Sequence, residues 1–396
     1  MAEIIIKAGG TKRKMNKTNS EKKHTYKSTL GTSMVSLKKY VAVIMMLVLS
    51  MSLCACGSTG SDGQASGESG SSSDAASAQN TDTSTDTEDG NNPDALVLID
   101  LTMVLDWTPN TNHTGLYVAL DKGYFKDEGL NVSIVQPPDG GAADMVASGD
   151  AQFGIEFQDT MAPAISGDTP LPITAVAAIL QHNTSGLVSL KEKGIDSFGK
   201  LAGHSYATWD SPTEQAILKT LVEKDGASWD DVNLISTYVE DIVAGLNSDI
   251  DSVWIYAGWD GVKLNMENIP NNFLLFRDYD EVFDYYSPVI IANNDFLNND
   301  PENAKAFLRA VKKGYEYAAE NPDEAADILL KNAPELDEAL VKESQKYLSG
   351  EYISDAASWG VIDKNRWNSF YQWLNEKGLV QNELETDAGV STEFLE

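Results

Sequence analysis

The chain has 396 residues, of which 60 are acidic and 29 are basic, so its formal net charge at pH 7 is −31. A protein this acidic repels nucleic acid and anionic lipid surfaces, and we expect neither as a partner. Both cysteines, Cys54 and Cys56, precede the predicted folded region. That placement excludes a disulfide framework, a cysteine-ligated zinc site and a cysteine nucleophile from the folded region.

Residues 1–56 are predicted to be a targeting segment. Two lysines precede an apolar run over residues 41–49, which is too short for a stable membrane span and typical of a signal core. The following run, Leu53-Cys54-Ala55-Cys56-Gly57, resembles a bacterial lipobox and implies lipidation of Cys56. An ordinary secretory signal with incidental cysteines is the alternative. Residues 1–33 are unlike a signal peptide, so Met34 is a candidate start.

The rest of the chain divides into a tether and a globular region. Residues 57–94 are mostly Gly, Ser, Thr, Asp, Asn and Gln, and such a segment cannot bury enough apolar surface to fold. The globular region is long enough for two lobes. We expect a first lobe over 95–183, a second lobe over 184–287 and a return to the first lobe over 288–396. The crossings between lobes are predicted near 182–186 and 285–289.

Strands and helices alternate along most of the globular region. Apolar runs predict strands at 96–105, 132–135, 153–156, 173–179, 186–190, 205–208, 232–236, 250–256, 273–276 and 289–292. Helices are predicted at 115–122, 142–148, 160–166, 213–223, 242–246, 258–266, 301–320, 322–331, 336–348 and 365–377. This alternation indicates an α/β fold with a mostly parallel sheet. The helices gathered at the carboxyl end are expected to cover the first lobe.

The loop after the first predicted strand carries an unusual set of side chains. It contains Asp106, Trp107, Asn110 and His113, which are a carboxylate, an indole, an amide and an imidazole. Loops at the carboxyl ends of strands are the usual ligand sites of α/β sheets. This set can stack on a flat ring and hydrogen-bond its edges. The alternative for His113 is a helix cap, although Thr114 suits that role better.

Similar side chains follow the other predicted strands. They are Glu156 with Asp159, Thr184, Trp209 with Ser211, Glu240, Trp254, Tyr256, Trp259 and Tyr286. Aromatic faces among carboxylates suit a flat, nitrogen-rich ring. A site for nitrate, sulfonate or phosphate should instead contain Arg or Lys. The three arginines after the tether, Arg277, Arg309 and Arg366, lie outside these loops, which disfavours an anion.

Several of these residues also have a purely structural interpretation. Trp107, Trp254 and Trp259 can be core aromatics, and Trp254 in particular lies inside an apolar strand. Ser211 can be the cap of the next helix. Glu156 favours a ligand role, because an ionised carboxylate on an otherwise apolar strand needs a partner.

Five motifs together resemble a known family. They are Asp106-Trp107-Thr108-Pro109-Asn110, Lys122-Gly123-Tyr124-Phe125, and the segments 148–155, 314–318 and 359–360. On these motifs, residues 97–380 resemble the thiamine-pyrimidine-precursor-binding proteins of ABC importers, within the larger family that includes the fungal pyrimidine synthase of thiamine biosynthesis. The resemblance implies a type II periplasmic-binding-protein fold, in which two α/β lobes close on a ligand. It also implies that Asp106 and Trp107 lie in the pyrimidine pocket, with Asn110 and His113 behind.

The resemblance also identifies positions that distinguish a binding protein from a synthase. Glu156 falls where the synthase carries the lysine that holds pyridoxal phosphate, and Thr160 falls where it carries a sacrificed histidine. Segment 285–288 matches the synthase's cysteine-rich iron segment and contains no cysteine. We therefore expect a non-enzymatic binder, without catalytic residues, cofactor or metal.

The expected activity is delivery of a hydroxymethyl- or formylamino-pyrimidine to an ABC permease. The lipobox implies that the protein is lipid-anchored on the outer face of the cell membrane, and we expect a monomer. A binder of another flat heterocycle such as riboflavin, and a pyrimidine synthase, are the alternatives.

Overall fold

The computed structural model describes residues 97–396. The predicted signal segment with Cys56 and the predicted tether over 57–94 lie outside the described residues. Within 97–396, every helix is too short or too polar to span a bilayer.

The described residues contain ten strands and twelve α-helices. The strands are β1 (Ile99–Val104), β2 (Leu130–Val135), β3 (Phe153–Glu156), β4 (Ile173–Ala178), β5 (Ser185–Leu190), β6 (Ser205–Thr208), β7 (Asn233–Ser236), β8 (Ser252–Tyr256), β9 (Asn271–Leu275) and β10 (Val289–Asn293). The helices are α1 (Thr114–Asp121), α2 (Tyr124–Asp127), α3 (Gly141–Ser148), α4 (Gln158–Ser166), α5 (Pro212–Lys224), α6 (Ile242–Leu246), α7 (Val262–Met266), α8 (Asn294–Asn299), α9 (Pro301–Glu320), α10 (Pro322–Asn332), α11 (Glu338–Glu351) and α12 (Lys364–Lys377).

These strands form two five-stranded sheets within the described range. The first sheet has the order β2-β1-β3-β10-β4, and the second has the order β7-β6-β8-β5-β9. In the first, β1 is parallel to β2 and β3, whereas β10 is antiparallel to β3 and β4. In the second, β6 is parallel to β7 and β8, whereas β5 is antiparallel to β8 and β9. We call each sheet with its helices a lobe.

Four of the five strands in each sheet run in the same direction, as the expectation of a mostly parallel sheet requires, whereas β10 in the first sheet and β5 in the second are reversed. The chain crosses between the lobes at 179–184 and again at 276–288. Strands β5 and β10 are the first strands after these crossings. They enter their sheets at the cleft and run away from it, in the direction opposite to their neighbours. The chain reaches each of them from the other lobe and not through a crossover helix within one sheet, which is the connection that makes a strand parallel to its neighbour.

The apolar runs form strands because both faces of the first sheet are buried. Along β1, Met103 packs in one core cluster and Val104 in another, and neither side chain is exposed. Alternate side chains of a strand point to opposite faces, so a doubly covered strand is apolar throughout. Helix α9 covers one face, where Phe307 stacks on Phe153 with ring centroids 3.8 Å apart. The expected cladding of the first lobe by carboxyl-terminal helices is confirmed.

Helices α1 and α9 make an unusually close contact. A Cβ atom added to Gly314 would lie 2.0 Å from the carbonyl oxygen of Gly115. One added to Gly115 would lie 2.2 Å from Cγ of Tyr315, whose ring stacks on Trp359 at 4.5 Å. The Tyr315 hydroxyl donates a hydrogen bond to the Asn112 carbonyl at 2.6 Å, so this contact also supports the loop after β1.

Candidate ligand-binding cleft

A cleft of about 850 Å³ lies between the two lobes, where the loops after β1, β3, β6, β7 and β8 meet. The carboxyl ends of these strands point toward it, as expected for a ligand site in α/β sheets. Its lining includes Asp106, Trp107, Asn110, Asp159, Trp209, Ser211, Glu240, Trp254, Tyr256 and Trp259, all of them residues that the sequence predicts as ligand contacts.

Two exposed aromatic side chains face each other across the mouth of the cleft. Trp107 follows β1 and is 57% exposed, and Tyr238 follows β7 and is 61% exposed. Their ring centroids are 6.4 Å apart, with an angle of 50° between the ring planes. Exposed apolar surface of this kind commonly marks a binding site. Tyr238 is absent from the sequence prediction, although its position just after β7 and beside Glu240 is a usable signal.

A second group of aromatic rings forms the inner wall. Trp254 is only 4% exposed and packs on Phe276 with ring centroids 4.1 Å apart, yet it also lines the cleft beside Trp209. Trp254 is therefore both a core residue and part of the cleft wall. Trp259 likewise lines the cleft and packs against the first-lobe core. The indole nitrogen of Trp254 is buried and has no hydrogen-bond partner among the described residues.

The loop that carries Trp209 is fixed by one buried carboxylate. Glu214 accepts hydrogen bonds from the Tyr206 hydroxyl at 2.5 Å, the Thr208 hydroxyl at 3.0 Å and the Trp209 backbone N–H at 3.1 Å. Ser211 in turn caps helix α5, since its hydroxyl oxygen accepts from the Glu214 backbone N–H at 3.4 Å. The structural interpretation of Ser211 as a cap is thus correct, and its side chain also lies at the cleft wall.

His113 lies behind the cleft, as the family resemblance implies, and contacts Asp106, so its prediction as a direct ligand contact is wrong. The imidazole is fully buried, and Nδ1 accepts a hydrogen bond from the Asn110 backbone N–H at 3.2 Å. Because Nδ1 acts as an acceptor, we assign the proton to Nε2, which lies 2.7 Å from Oδ1 of Asp106. His113 thus contacts one oxygen of Asp106 and leaves the other without a side-chain donor among the described residues.

Glu156 also lies behind the cleft and is not part of its lining. Its carboxylate accepts hydrogen bonds from the Phe157 backbone N–H at 3.0 Å and from the Thr160 hydroxyl. The start of α4 turns the side chain back onto its own helix, which places Asp159 and Thr160 on the cleft surface instead. Burial raises the pKa of Glu156 to about 7 and that of Asp159 to about 6.

The raised pKa of Glu156 predicts a loss of stability with rising pH. The folded state holds a proton on Glu156 up to about pH 7, whereas the unfolded state releases it near 4.5. The free energy of unfolding therefore falls as pH rises between these values. Glu156→Gln should remove this dependence, because one amide oxygen can accept both hydrogen bonds. At about pH 8 we expect a gain of about 1–3 kcal/mol in the free energy of unfolding.

Urea denaturation of the unliganded protein across this pH range measures the effect. Glu192→Gln is the matched control, since Glu192 is exposed on the second lobe. Parallel pH profiles for the wild type and Glu156→Gln would contradict the prediction.

Two further predicted contacts lie away from the main cleft. Thr184 is buried in the first crossing and lines a cavity of about 20 Å³ beneath the cleft. Tyr286 is buried in the second crossing and faces helix α12, where its hydroxyl accepts a hydrogen bond from the Asp363 backbone N–H at 2.7 Å. The ring of Tyr286 lies 5.0 Å from the guanidinium carbon of Arg366. Its predicted contact with ligand is wrong, because the crossing turns the ring toward α12.

The cleft is strongly acidic. Among the described residues, its lining contains no Lys, Arg or His. The carboxylates in it belong to Asp106, Asp159, Asp210, Glu214, Glu240 and Asp260. Burial raises the pKa of Asp260 to about 6. Carboxylates of this kind can accept hydrogen bonds from the N–H groups of an organic ligand. Within 97–396, no three His, Cys, Asp or Glu side chains converge as metal ligands.

Comparisons of the sequence with family models and with known proteins match one group of proteins. A family model described as NMT1/THI5 like matches residues 110–325. The formylaminopyrimidine-binding protein of Halalkalibacterium halodurans is 31% identical over 307 residues, covering 76% of this chain and 92% of that protein. The 4-amino-5-hydroxymethyl-2-methylpyrimidine phosphate synthase of Aspergillus parasiticus is 24% identical over 66% of this chain and 80% of that enzyme.

Solved structures agree on the fold. The alkanesulfonate-binding protein SsuA of Xanthomonas axonopodis pv. citri has a TM-score of 0.57 at 10% identity, covering 74% of this chain and 98% of that one. The periplasmic nitrate-binding protein NrtA of Synechocystis PCC 6803 also has a TM-score of 0.57, at 16% identity, covering 74% and 84%. The predicted two-lobed periplasmic-binding-protein fold is confirmed.

Proposed function

The chain belongs to the NMT1/THI5-like family, and on this basis we propose that it is the extracytoplasmic substrate-binding component of an ABC importer. Its proposed ligand is a thiamine pyrimidine precursor, either a formylamino- or a hydroxymethyl-pyrimidine. The lobes capture the ligand in the cleft, close on it and deliver it to a membrane permease.

The facing rings of Trp107 and Tyr238 are the observation that carries this proposal. A flat ring held between two others needs about 3.5 Å on each side, or about 7 Å in total. In this structure the centroids are 6.4 Å apart and the ring planes are 50° apart, so the two rings do not yet form a parallel slot of that width. Because the rings come from opposite lobes, opening of the lobes can admit a planar heterocycle, and closure can then bring both of its faces into contact with aromatic surface.

The acidic lining supports an amino-substituted ring over an anion. Carboxylates accept hydrogen bonds from exocyclic amines, whereas a sulfonate or nitrate needs cationic donors. Among the described residues, the three arginines lie elsewhere, where Arg277 pairs with Glu351, Arg309 with Glu128, and Arg366 lies near Asp284. Within the described range, the cleft lining thus lacks the cationic side chains that favour an anionic ligand.

We propose binding without catalysis. The 31% identical relative is named a binding protein, whereas the synthases are more distant. Where the family resemblance implies the synthase's lysine and histidine, this chain has Glu156 and Thr160, which are hydrogen-bonded to each other. Neither side chain can form an imine with pyridoxal phosphate.

The finer organisation is also a proposal. We infer from the lipobox that Cys56 carries the lipid anchor and that residues 57–94 form the tether, so the protein acts outside the cytoplasm. The lobe boundaries are proposed at 95–183, 184–287 and 288–396, and a monomer is proposed as the working form. Mass spectrometry of the membrane fraction would detect the lipidated Cys56.

A thermal-shift measurement on the chain from residue 57 onward tests the function. The compounds are hydroxymethyl- and formylamino-pyrimidines, riboflavin, taurine, nitrate and pyridoxal phosphate. A ligand that binds the folded state raises Tm by mass action. We expect a shift with an aminopyrimidine alone. A shift with riboflavin alone would change the ligand, one with pyridoxal phosphate would support the synthase alternative, and one with taurine or nitrate would contradict the acidic-site argument.

A further inference from the structure

We propose that the cleft binds its heterocycle as a monocation, protonated on a ring nitrogen, with the carboxylate of Asp159 as the counter-ion. The inference rests on the proposed function, because it concerns the charge of the same ligand in the same cleft.

Asp159 is an uncompensated carboxylate in the cleft wall. It lies in the first turn of α4, directly after β3, and contributes to the lining. The backbone N–H groups of Asp159 and Thr160 only partly offset the rise in pKa that burial causes, and no side chain of the described residues donates a hydrogen bond to this carboxylate. A carboxylate removed from water without a cationic partner is costly to ionise.

Among the described residues, the titratable groups that interact with Asp159 are carboxyls and phenols. Glu156 is the last residue of β3, three positions before Asp159, and Asp106 acts on the same neighbours, Glu156 and Tyr256. Tyr256 comes from β8, Tyr285 from the second crossing and Tyr371 from α12. Burial raises the pKa of all three phenols, so they remain neutral.

The one imidazole close to this group does not supply the missing charge. His113 contacts Asp106, but its Nδ1 accepts the Asn110 backbone N–H, which requires the neutral tautomer. Asp106 and Asp159 both lie in the cleft lining, with no Lys, Arg or His among the residues that line it. A cationic ligand would suit a pair of carboxyl groups of this kind, because its attraction to them offsets the hydration energy that burial removes.

An aminopyrimidine can supply that charge in a suitable geometry. Its exocyclic amine is conjugated with the ring, so the added proton resides on a ring nitrogen rather than on the amine. When the proton is on the ring nitrogen next to the amine-bearing carbon, the cation presents a ring N–H and an amine N–H side by side. Two parallel donors match the two oxygens of one carboxylate, as in arginine–carboxylate pairs.

Trp254 provides a complementary feature on the second lobe. Its side chain lines the same cleft, and its buried indole N–H, which is a donor only, has no acceptor among the described residues. A ring protonated at one nitrogen still has an acceptor at its other nitrogen or at its oxygen substituent. The Asp159 carboxylate on the first lobe and the Trp254 indole on the second lobe would together fix the orientation of the ligand between them.

The proposal predicts a defined proton uptake. Above the pKa values of both the free ligand and Asp159, the complex forms by taking one proton from solvent onto the ring nitrogen. The Kd should then rise about tenfold per pH unit. Below about pH 6, Asp159 itself binds a proton and the cation loses its counter-ion. The affinity should therefore be greatest at a pH between the pKa of the free ligand and that of Asp159, and it should fall at higher and at lower pH.

The test uses isothermal titration calorimetry with hydroxymethyl-aminopyrimidine and the chain from residue 57 onward. Titrations about one pH unit above the ligand's own pKa, in two buffers with different ionisation heats, give the number of protons taken up. The ultraviolet spectrum of the bound ligand then shows whether the ring is protonated. We expect uptake close to one proton per ligand, together with the spectrum that the free ligand has in acid.

Two variants and a ligand analogue test whether Asp159 is the counter-ion and whether a ring nitrogen takes up the proton. Asp159→Asn should abolish proton uptake and flatten the pH dependence of Kd. Asp144→Asn is the matched control, because Asp144 also lies in the first turn of a first-lobe helix but is exposed and outside the cleft. A benzene analogue of the ligand, which lacks ring nitrogens, should bind the wild type weakly and without proton uptake.

The outcomes separate this inference from the proposed function. Binding without proton uptake, or with the spectrum of the neutral ring, would overturn the cation and leave the importer function standing. Unchanged uptake in Asp159→Asn would overturn the assignment of the counter-ion. No binding by the wild type would overturn the proposed function and this inference together.

Discussion

Replacing Trp107 with alanine should weaken pyrimidine binding by about 1–3 kcal/mol, which is roughly a 5- to 150-fold rise in Kd. The indole is more than half exposed and faces Tyr238 from the opposite lobe, so its truncation removes contact area without opening a core cavity. The Tm of the unliganded protein should therefore change little. Calorimetric Kd values and unliganded melting curves, measured on the same preparations, separate the two effects.

A double-mutant cycle with Tyr238→Ala tests whether both rings contact one ligand. If a single heterocycle lies between them, the two losses should be non-additive, because removing one ring changes how the other contacts the ligand. Tyr279→Ala is the control, since Tyr279 is an exposed aromatic residue of the second lobe outside the cleft. Trp107→Ala with wild-type affinity would show that the ligand lies elsewhere.

Gly314→Ala should destabilise the unliganded protein by about 3 kcal/mol, at the upper end for an overpacked core. The new methyl group would meet the Gly115 carbonyl oxygen at 2.0 Å, and a backbone atom inside a packed helix cannot rotate away. Helices α1 and α9 must separate, which also strains the hydrogen bond from Tyr315 to the loop after β1. Urea denaturation measures the loss.

Gly350→Ala is the matched control for this prediction. Gly350 is an exposed helical residue in α11, and a Cβ added there meets nothing within 4 Å. Alanine should therefore stabilise the protein by up to about 1 kcal/mol, through helix propensity and a less flexible unfolded chain. Equal effects of the two substitutions would refute the close helix contact.

Most of the secondary structure could be predicted because its signals are local. Each of the ten strands within 97–396 overlaps a predicted apolar run, since both faces of the central strands are buried and the runs end at turn residues. Helices Tyr124–Asp127 and Asn294–Asn299 were missed, because each buries a single apolar side chain, Phe125 or Leu297, and so shows no apolar repeat of helical period. The reversed direction of β5 and β10 could not be derived from the sequence, because it depends on where the chain crosses from one lobe to the other.

The site was predicted in outline for a similar reason. Loops at strand ends converge in this class of fold, so the aromatic and acidic residues after the strands lie together. The direction of individual side chains was not predictable. Glu156 is turned onto Thr160 by the start of α4, and His113 is drawn under Asp106 by the turn at Asn110. Tyr286 lies in an irregular crossing, where no periodicity indicates which way a ring points.

The strand order also has a consequence for folding during synthesis. Strand β10 lies between β3 and β4, but it is made only after the whole second sheet. Until β10 is made, the first sheet lacks the strand that pairs with both β3 and β4, so these two strands expose unpaired edges of the kind that promote aggregation. The second sheet consists of β5 to β9, which are consecutive in the chain and can assemble without the first. The lobe that is synthesised first is therefore the one that completes its folding last.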